Sequence, residues 1–354
     1  MAADPAFWRG RRVLLTGHTG FKGAWCARWL SVMGAQVTGF ALPPATKPAL
    51  FDLIETGAAS LLGDLRDQNA VNAAARQANP HIVLHMAAQP IVREGYRDPV
   101  GTFATNVMGT VHLLEALRGQ QDLDAVLIVT TDKVYENDEQ GRAFAEGDRL
   151  GGHDPYSASK SGAELAATSY AQSFFNENGI RVATARGGNV IGGGDFAVDR
   201  LVPDIVRAVR AGTTLELRNP NATRPWQHVL DCLDGYLTLL QAMVTDPATP
   251  RAVNIGPHDP TDVRTVAEVT GAMQAALGTA RTWSLDPDAG PREMAALALD
   301  PTLAHQQLGW RGRLSSGDAI RWTADWYAAW ANRANMASVT DDQIDAYLAE
   351  EATP

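Results

Sequence analysis

The segment VLLTGHTGFKG at residues 13–23 constrains this chain more than any other: a short apolar run ends in three glycines set three apart, Gly17, Gly20 and Gly23, and a helix-period segment follows at once. Such a run reads as strand, tight turn and helix. Glycine lets the turn take positive φ, and it lets backbone N–H groups at a positively polarised helix end approach a pyrophosphate. The spacing differs from the commoner G-x-G-x-x-G. Glycine-rich turns also arise for packing alone, so the strand before and the helix after carry the nucleotide-binding reading, with Thr19 and Phe21 inside the turn. Lys22 either adds charge near the phosphates or lies solvated.

The rest of the first half repeats this alternation. Strands are expected at Val13–Thr16, Gln36–Phe40, Ser60–Leu62, Ile82–His85, Ala125–Thr130 and Arg181–Ala185, with helices near Gly23–Met33, Asp67–Gln77, Pro99–Arg118 and Pro155–Asn178. Strands alternating with helices make βαβ units and a parallel sheet buried on both faces. The expected fold is therefore α/β: a Rossmann-type parallel sheet with helices on both faces, plus a smaller mixed α/β C-terminal lobe. The pattern breaks into glycine-rich loop after Gly187 and then into Pro-punctuated segments such as RNPNATRPWQHV. That places a nucleotide-binding domain at 1–186, with some later segments returning to it, a second lobe at 187–334 and a tail at 335–354. The tail, with DDQIDAYLAEE, reads equally as an amphipathic helix or a mobile acidic end.

Composition narrows the partners. With 30 basic against 40 acidic residues and a formal net charge of −10, the 354-residue chain has no general attraction for nucleic acid or an anionic membrane. An anionic small molecule needs a local basic cluster instead. The two cysteines, Cys26 and Cys232, give neither a disulfide framework nor zinc-ligand spacing, so no metal site is expected. The N-terminus has no long apolar run, and no stretch of about eighteen apolar residues occurs anywhere. A cytoplasmic location is expected.

Cofactor identity is open from the residues alone. The second strand runs into GFALPP, with no acid for a ribose 2′-hydroxyl and no immediate arginine for a 2′-phosphate. After the third strand Asp64 either accepts from an adenine amino group or caps a helix, with Leu65 beside it. Ala87 and Ala88 in HMAAQP leave room for a ribose and nicotinamide, or merely pack. Gln89 and Asn106 are further candidates near the cofactor, Gln89 also toward the substrate.

The sharpest chemical signal is YSASK, Tyr156 to Lys160, some 25 residues after Thr130-Thr131. Four residues apart on a helix, the two side chains share a face. An ammonium there, with an oxidised nicotinamide's charge, is expected to lower the phenol pKa so that Tyr156 takes a hydroxyl proton as hydride leaves the same carbon. The Thr131 hydroxyl is placed to bridge to a substrate oxygen.

TGHTGFKG, HMAAQP, TTDK, YSASK, GNVIGGGD and RPWQHV follow one another over residues 8–330 as in the extended short-chain dehydrogenases/reductases, which this chain resembles. GHTGFKG, TTDKVYEN, GNVIGGGD and RNP…RPWQHV are most similar to the CDP-glucose 4,6-dehydratase branch. That resemblance implies NAD as cofactor and CDP-glucose, a nucleotide sugar, as the favoured substrate, dehydrated across carbons 5 and 6 by way of a 4-ketone. It implies Asp132 as acid at the 6-hydroxyl. It puts Lys133 where dTDP-glucose dehydratases carry a glutamate base, either as base or as an electrostatic partner of the enolate. By their residue types, Arg200, Arg218 and Arg224 either converge on a diphosphate or form surface ion pairs, and Asn189 either approaches the substrate or sits in a plain turn, with Leu201 beside them; the resemblance puts Arg224 on the diphosphate and His228 closing the site. An epimerase or reductase shares Tyr156 and Lys160 but has no use for Asp132 and Lys133. The helices at 99–118 and 155–178 carry apolar positions on more than one face, such as Leu113, Leu114, Leu117, Leu165, Tyr170 and Phe174, which are either buried inside the subunit or paired across a two-fold axis as in relatives, and the resemblance implies a homodimer or a dimer of dimers.

Overall fold

In the computed structural model, which describes residues 3–137, 141–279, 283–286 and 296–350, seven strands form one parallel sheet. They are β1 Arg12–Thr16, β2 Gln36–Ala41, β3 Ala59–Leu62, β4 Ile82–His85, β5 Ala125–Thr131, β6 Arg181–Gly187 and β7 Ala252–Ile255, in the order β7-β6-β5-β4-β1-β2-β3. Every residue of β4 and β5 is buried, which is why both read as continuous apolar runs rather than alternating ones. β1 pairs with β2 through Arg12 and Gln36 and with β4 through Val13 and Ile82. The order reverses at β1, and a crevice opens beyond the carboxyl ends of β1 and β4, where such sheets bind ligands.

Helices cover both faces. On one face lie α1 (Phe21–Val32), α6 (Val229–Thr245) and α8 (Ser316–Ala331), around a core with Trp25, Trp29, Leu233 and Trp326. On the other lie α2 (Gln68–Ala78), α3 (residues 99–117) and α4 (Pro155–Tyr170), around Val71, Leu113, Leu117 and Ala167. α1 starts two residues earlier than expected. The stretch expected at Pro99–Arg118 is helical but carries a π turn at Ala104–Met108, and α4 passes into another at Ala171–Phe175. β7 and α6 return to the sheet from beyond residue 187, so the second lobe is interleaved with the first. That lobe holds α5 (Leu201–Ala211) and α7 (Val266–Ala276).

The open reading of the tail closes in favour of a helix, α9 (Met336–Ala349), capped by Asn335 and docked on α1. Arg28 pairs with Asp341, and the buried Tyr347 ring meets Trp29 edge-on at 5.7 Å. Of the two readings of Leu113, Leu114 and Leu117, burial within the subunit holds. The apolar side chains left exposed on the same helices are Val100, Phe103, Met108, Leu165 and Phe174. No helix among the described residues is long and apolar enough to cross a membrane.

Candidate active site

At the carboxyl end of the sheet a cavity of about 310 Å³ lies between the loops after β1, β4 and β5 and the lobe beyond β6. Phe21 and Lys22 of the glycine turn line it, and the three glycines lie behind them. Gly17 has φ +80°, and a Cβ there would stand 2.8 Å from the Ala87 amide nitrogen. A Cβ on Gly23 would meet the Gly17 carbonyl oxygen at 1.9 Å. These contacts bring the turn, the start of α1 and the loop after β4 into one close-packed unit. Gly20, the residue before α1, offers no side-chain acceptor to the first-turn N–H groups. A twelve-residue helix opening on such a turn fits the diphosphate of a dinucleotide.

The loop after β4 is braced from beneath. His85 bonds Thr16 Oγ1 through Nδ1 (2.7 Å) and meets Thr110 Oγ1 through Nε2, while Met86 and Ala87 donate their N–H groups to Thr16 Oγ1. Asn106, at the π turn of α3, accepts from the Gln89 N–H and donates to Ser159 Oγ. Gln89 spends its side chain on Thr102 and Ile91, and Thr19 donates to the Leu42 carbonyl. Asp64 forms a tight pair with Arg66 (2.6 Å), which holds its carboxyl below the usual range, and Asp67 takes the capping place on α2. Leu65 is buried against Gly109. Of the turn's side chains, Phe21 and Lys22 reach the cavity, as does Ala88 beyond β4.

Tyr156, Lys160, Thr131 and Lys133 also line the cavity. α4 is launched by Asp154, which caps Ser157, with Pro155 at its first position. That places Tyr156 in the first turn, on the cavity wall with Thr131. Thr131 donates to Asp132 Oδ1 (2.8 Å), Lys133 Nζ lies 3.4 Å from the same oxygen, and the buried Asp132 Oδ2 has no hydrogen-bond partner. The expected lowering of the phenol is not found in the protein's own groups. Burial pushes Tyr156 up to about 12; the Thr131 contact opposes the rise and the Asp132 carboxylate adds to it. Lys160 Nζ donates to the Val129 carbonyl (3.0 Å). Desolvation, aided by the charge of Lys22, brings Lys160 down to about 7 against the pull of Glu164.

Asn189, Arg200, Leu201, Arg218 and Arg224 converge on the far wall. The buried Asn189 Oδ1 has no partner there. Arg200 pairs with Asp195 at 2.9 Å, and Arg218 lies 3.9 Å from Asp199. Neither acid was among the expected site residues; Asp199 sits in left-handed backbone, φ +59°, which its sequence neighbours do not signal. His228 stands elsewhere. It is fully buried, caps α6 by accepting from the Leu230 N–H, and lies edge-on to Trp25 and Trp322, outside the cavity lining.

The chain matches the model of the GDP-mannose 4,6-dehydratase family over residues 14–323. It is 42% identical over 353 residues to CDP-glucose 4,6-dehydratase of Salmonella typhimurium, covering 98% of each chain. It is 32% identical over 270 residues to dTDP-glucose 4,6-dehydratase of Streptomyces antibioticus, covering 75% of each. Among solved structures it resembles UDP-glucose 4-epimerase of Thermus thermophilus in complex with NAD, with TM-score 0.76 and 27% identity over 89% of this chain and 98% of that one. A Tyr-x-x-x-Lys helix facing Thr131, Asp132 and Lys133 across a dinucleotide-type turn, together with these matches, makes the chain a member of the GDP-mannose 4,6-dehydratase family.

Proposed function

We propose that this protein converts CDP-glucose to CDP-4-dehydro-6-deoxyglucose, a redox-neutral dehydration with bound NAD. The observation that carries it is Thr131 and Lys133 on the cavity wall with Tyr156, both in contact with the buried Asp132 behind them, in a chain 42% identical to a CDP-glucose 4,6-dehydratase. The Gly17–Gly23 turn would hold NAD, which when bound would supply the acceptor for the carbon 4 hydride and its source for carbon 6. Tyr156 takes the 4-hydroxyl proton, and Thr131 orients that oxygen. The resulting ketone acidifies the carbon 5 proton. Lys133 removes it, Asp132 protonates the departing 6-hydroxyl and water leaves; as carbon 6 is reduced, carbon 5 takes its proton back from Lys133, and the 4-hydroxyl proton held by Tyr156 restores the acid at Asp132.

The 3.4 Å contact of Lys133 Nζ with Asp132 Oδ1 supports this pairing, since it holds acid and base side by side. Epimerisation makes no demand for such a pair beside Tyr156.

Arg200, Arg218 and Arg224 supply a diphosphate-binding wall in an otherwise acidic protein. The sequence division at 186 and 334 is retained for this reading, with the cavity between the first two segments. A homodimer, alone or paired into a tetramer, is proposed through the exposed face of Val100, Phe103, Met108 and Leu165. Two buried free thiols suit a cytoplasmic location.

The test is to incubate the purified protein with CDP-glucose and no added reductant, following loss of one water by mass and the alkaline ultraviolet absorbance of a 4-keto-6-deoxy sugar. Product establishes the reaction. Its absence from protein shown to hold NAD overturns the CDP-glucose reading and directs the assay to other nucleotide sugars.

A further inference from the structure

Three successive turns of α4 face three consecutive residues of β5. Tyr156 lines the cavity with Thr131, Lys160 donates to the Val129 carbonyl at 3.0 Å, and Glu164 accepts from Thr130 Oγ1 at 2.5 Å. The first two belong to the reaction described above. Glu164 does not: it is 2% exposed, two turns from Tyr156, and faces the sheet rather than the cavity.

Its carboxylate is nonetheless the most heavily bonded group behind the site. Besides Thr130 it accepts from Thr184 Oγ1 (2.7 Å) and takes a bidentate pair from Arg186, Nε at 3.0 Å and Nη2 at 2.8 Å. Arg186 is tied onward to the Tyr135 hydroxyl (2.9 Å) and the Glu146 carbonyl (3.1 Å). Thr184 and Arg186 lie on β6, Thr130 on β5. One buried carboxylate thus joins α4, β5 and β6 one residue below Thr131. A buried charge pair is a weak source of net stability, since desolvation offsets its attraction. Here its geometry is anchored by four hydrogen bonds from three side chains, which suits a device that fixes register.

We propose that Glu164 is a positioning residue, which through Thr130 and Arg186 locks α4 against β5 in the register that brings Tyr156 to Thr131 and the Asp132–Lys133 pair. This deepens the dehydratase reading and rests on its choice of Tyr156 as the proton acceptor. Without the lock, α4 keeps its packing but the phenol shifts relative to Thr131, and displacements well under a residue's length are costly in a preorganised site.

The experiment contrasts two isosteric changes at the same carboxylate. Thr130→Val removes the Glu164 contact to β5; Thr184→Val removes the one to β6. A purely structural role for Glu164 makes them equivalent. The register role predicts that Thr130→Val lowers kcat by about tenfold or more with KM nearly unchanged, while Thr184→Val keeps kcat within about twofold at a similar loss of Tm. Glu164→Gln should behave as Thr130→Val does; should it fail to fold, the threonine pair still decides. Crystal structures of both variants read the register without any substrate: Tyr156 separates from Thr131 in Thr130→Val and not in Thr184→Val. Equal kcat in the two threonine variants, or an unmoved Tyr156 in both, overturns the inference. Inactivity of the parent protein on CDP-glucose overturns the substrate reading alone, since the structural comparison still tests the register.

Discussion

Lys160 stores a stability cost that pH should reveal. Its ammonium is buried and brought from 10.5 to about 7, chiefly by desolvation. A cation whose folded pKa lies below its unfolded one destabilises the protein fully below the folded value, and the cost is relieved as pH rises toward the unfolded value. At 1.36 kcal/mol per unit, linkage gives a cost of about 4 kcal/mol at pH 7, falling to about 1.4 kcal/mol at pH 9.5. Lys160→Met removes it. The same change takes a donor from the Val129 carbonyl, which costs about 1–3 kcal/mol at either pH. The variant should therefore be more stable than the parent by about 1–3 kcal/mol at pH 7, and no more stable, or slightly less, at pH 9.5. Urea unfolding of both proteins at the two pH values, with m-values compared, measures the difference. Because only the parent-minus-variant difference is used, other groups titrating in the window drop out. A difference that does not change between pH 7 and 9.5 refutes the reasoning. The variant should also lose dehydration, so the site holds its ammonium at the expense of stability.

Other perturbations follow from the same geometry. Gly23→Ala drives a methyl into the Gly17 carbonyl, all backbone, and should abolish NAD binding measured by calorimetry while lowering stability by about 1–3 kcal/mol. Tyr347→Phe removes a 2.9 Å hydrogen bond to Asp231, a carboxyl that burial raises to about 6. An acid with a raised folded pKa loses stability as pH climbs from its unfolded value to the folded one, and the phenol's bond favours the carboxylate. The loss on removing that bond, about 1.5–3 kcal/mol, should thus be larger at pH 7 than at pH 4.5 by urea unfolding. Leu165→Glu places a charge on an exposed position of α4, so it should leave Tm within about 2 °C while shifting the mass by light scattering toward the monomer.

What could be read from the sequence was what depends on near neighbours along the chain. The glycine turn, α4 with Tyr156 and Lys160 on one face, and six strands of the sheet each announce themselves within about a dozen residues, because periodicity and turn chemistry are local. The π turn that presents Asn106 to Gln89 and Ser159 is local too, but its one-residue surplus leaves the apolar pattern intact and so gives no signal. Two placements depend on contacts distant in the chain. RPWQHV suggests a polar segment at the site, yet the parallel pairing of Trp226–His228 with Asn189–Ile191 turns His228 into the aromatic core. Spacing also places Lys160 one turn from Tyr156, but not the Val129 carbonyl that its ammonium meets or the burial that raises the phenol.

The Glu164–Arg186 pair shows why the remainder was out of reach. Glu164 lies in an ordinary helical stretch and Arg186 near the end of an apolar strand, 22 residues on; each alone reads as a solvated charge. Only the order β5-β6 and the packing of α4 over both bring the two within 2.8 Å. The same packing decides what the site can do, because the proton acceptor and the acid–base pair come from different elements and neither sets the distance between them. Local sequence supplies the reacting groups. Buried long-range polar contacts beneath them supply the alignment, and a charge in a wholly buried position of the catalytic helix is where to look for it.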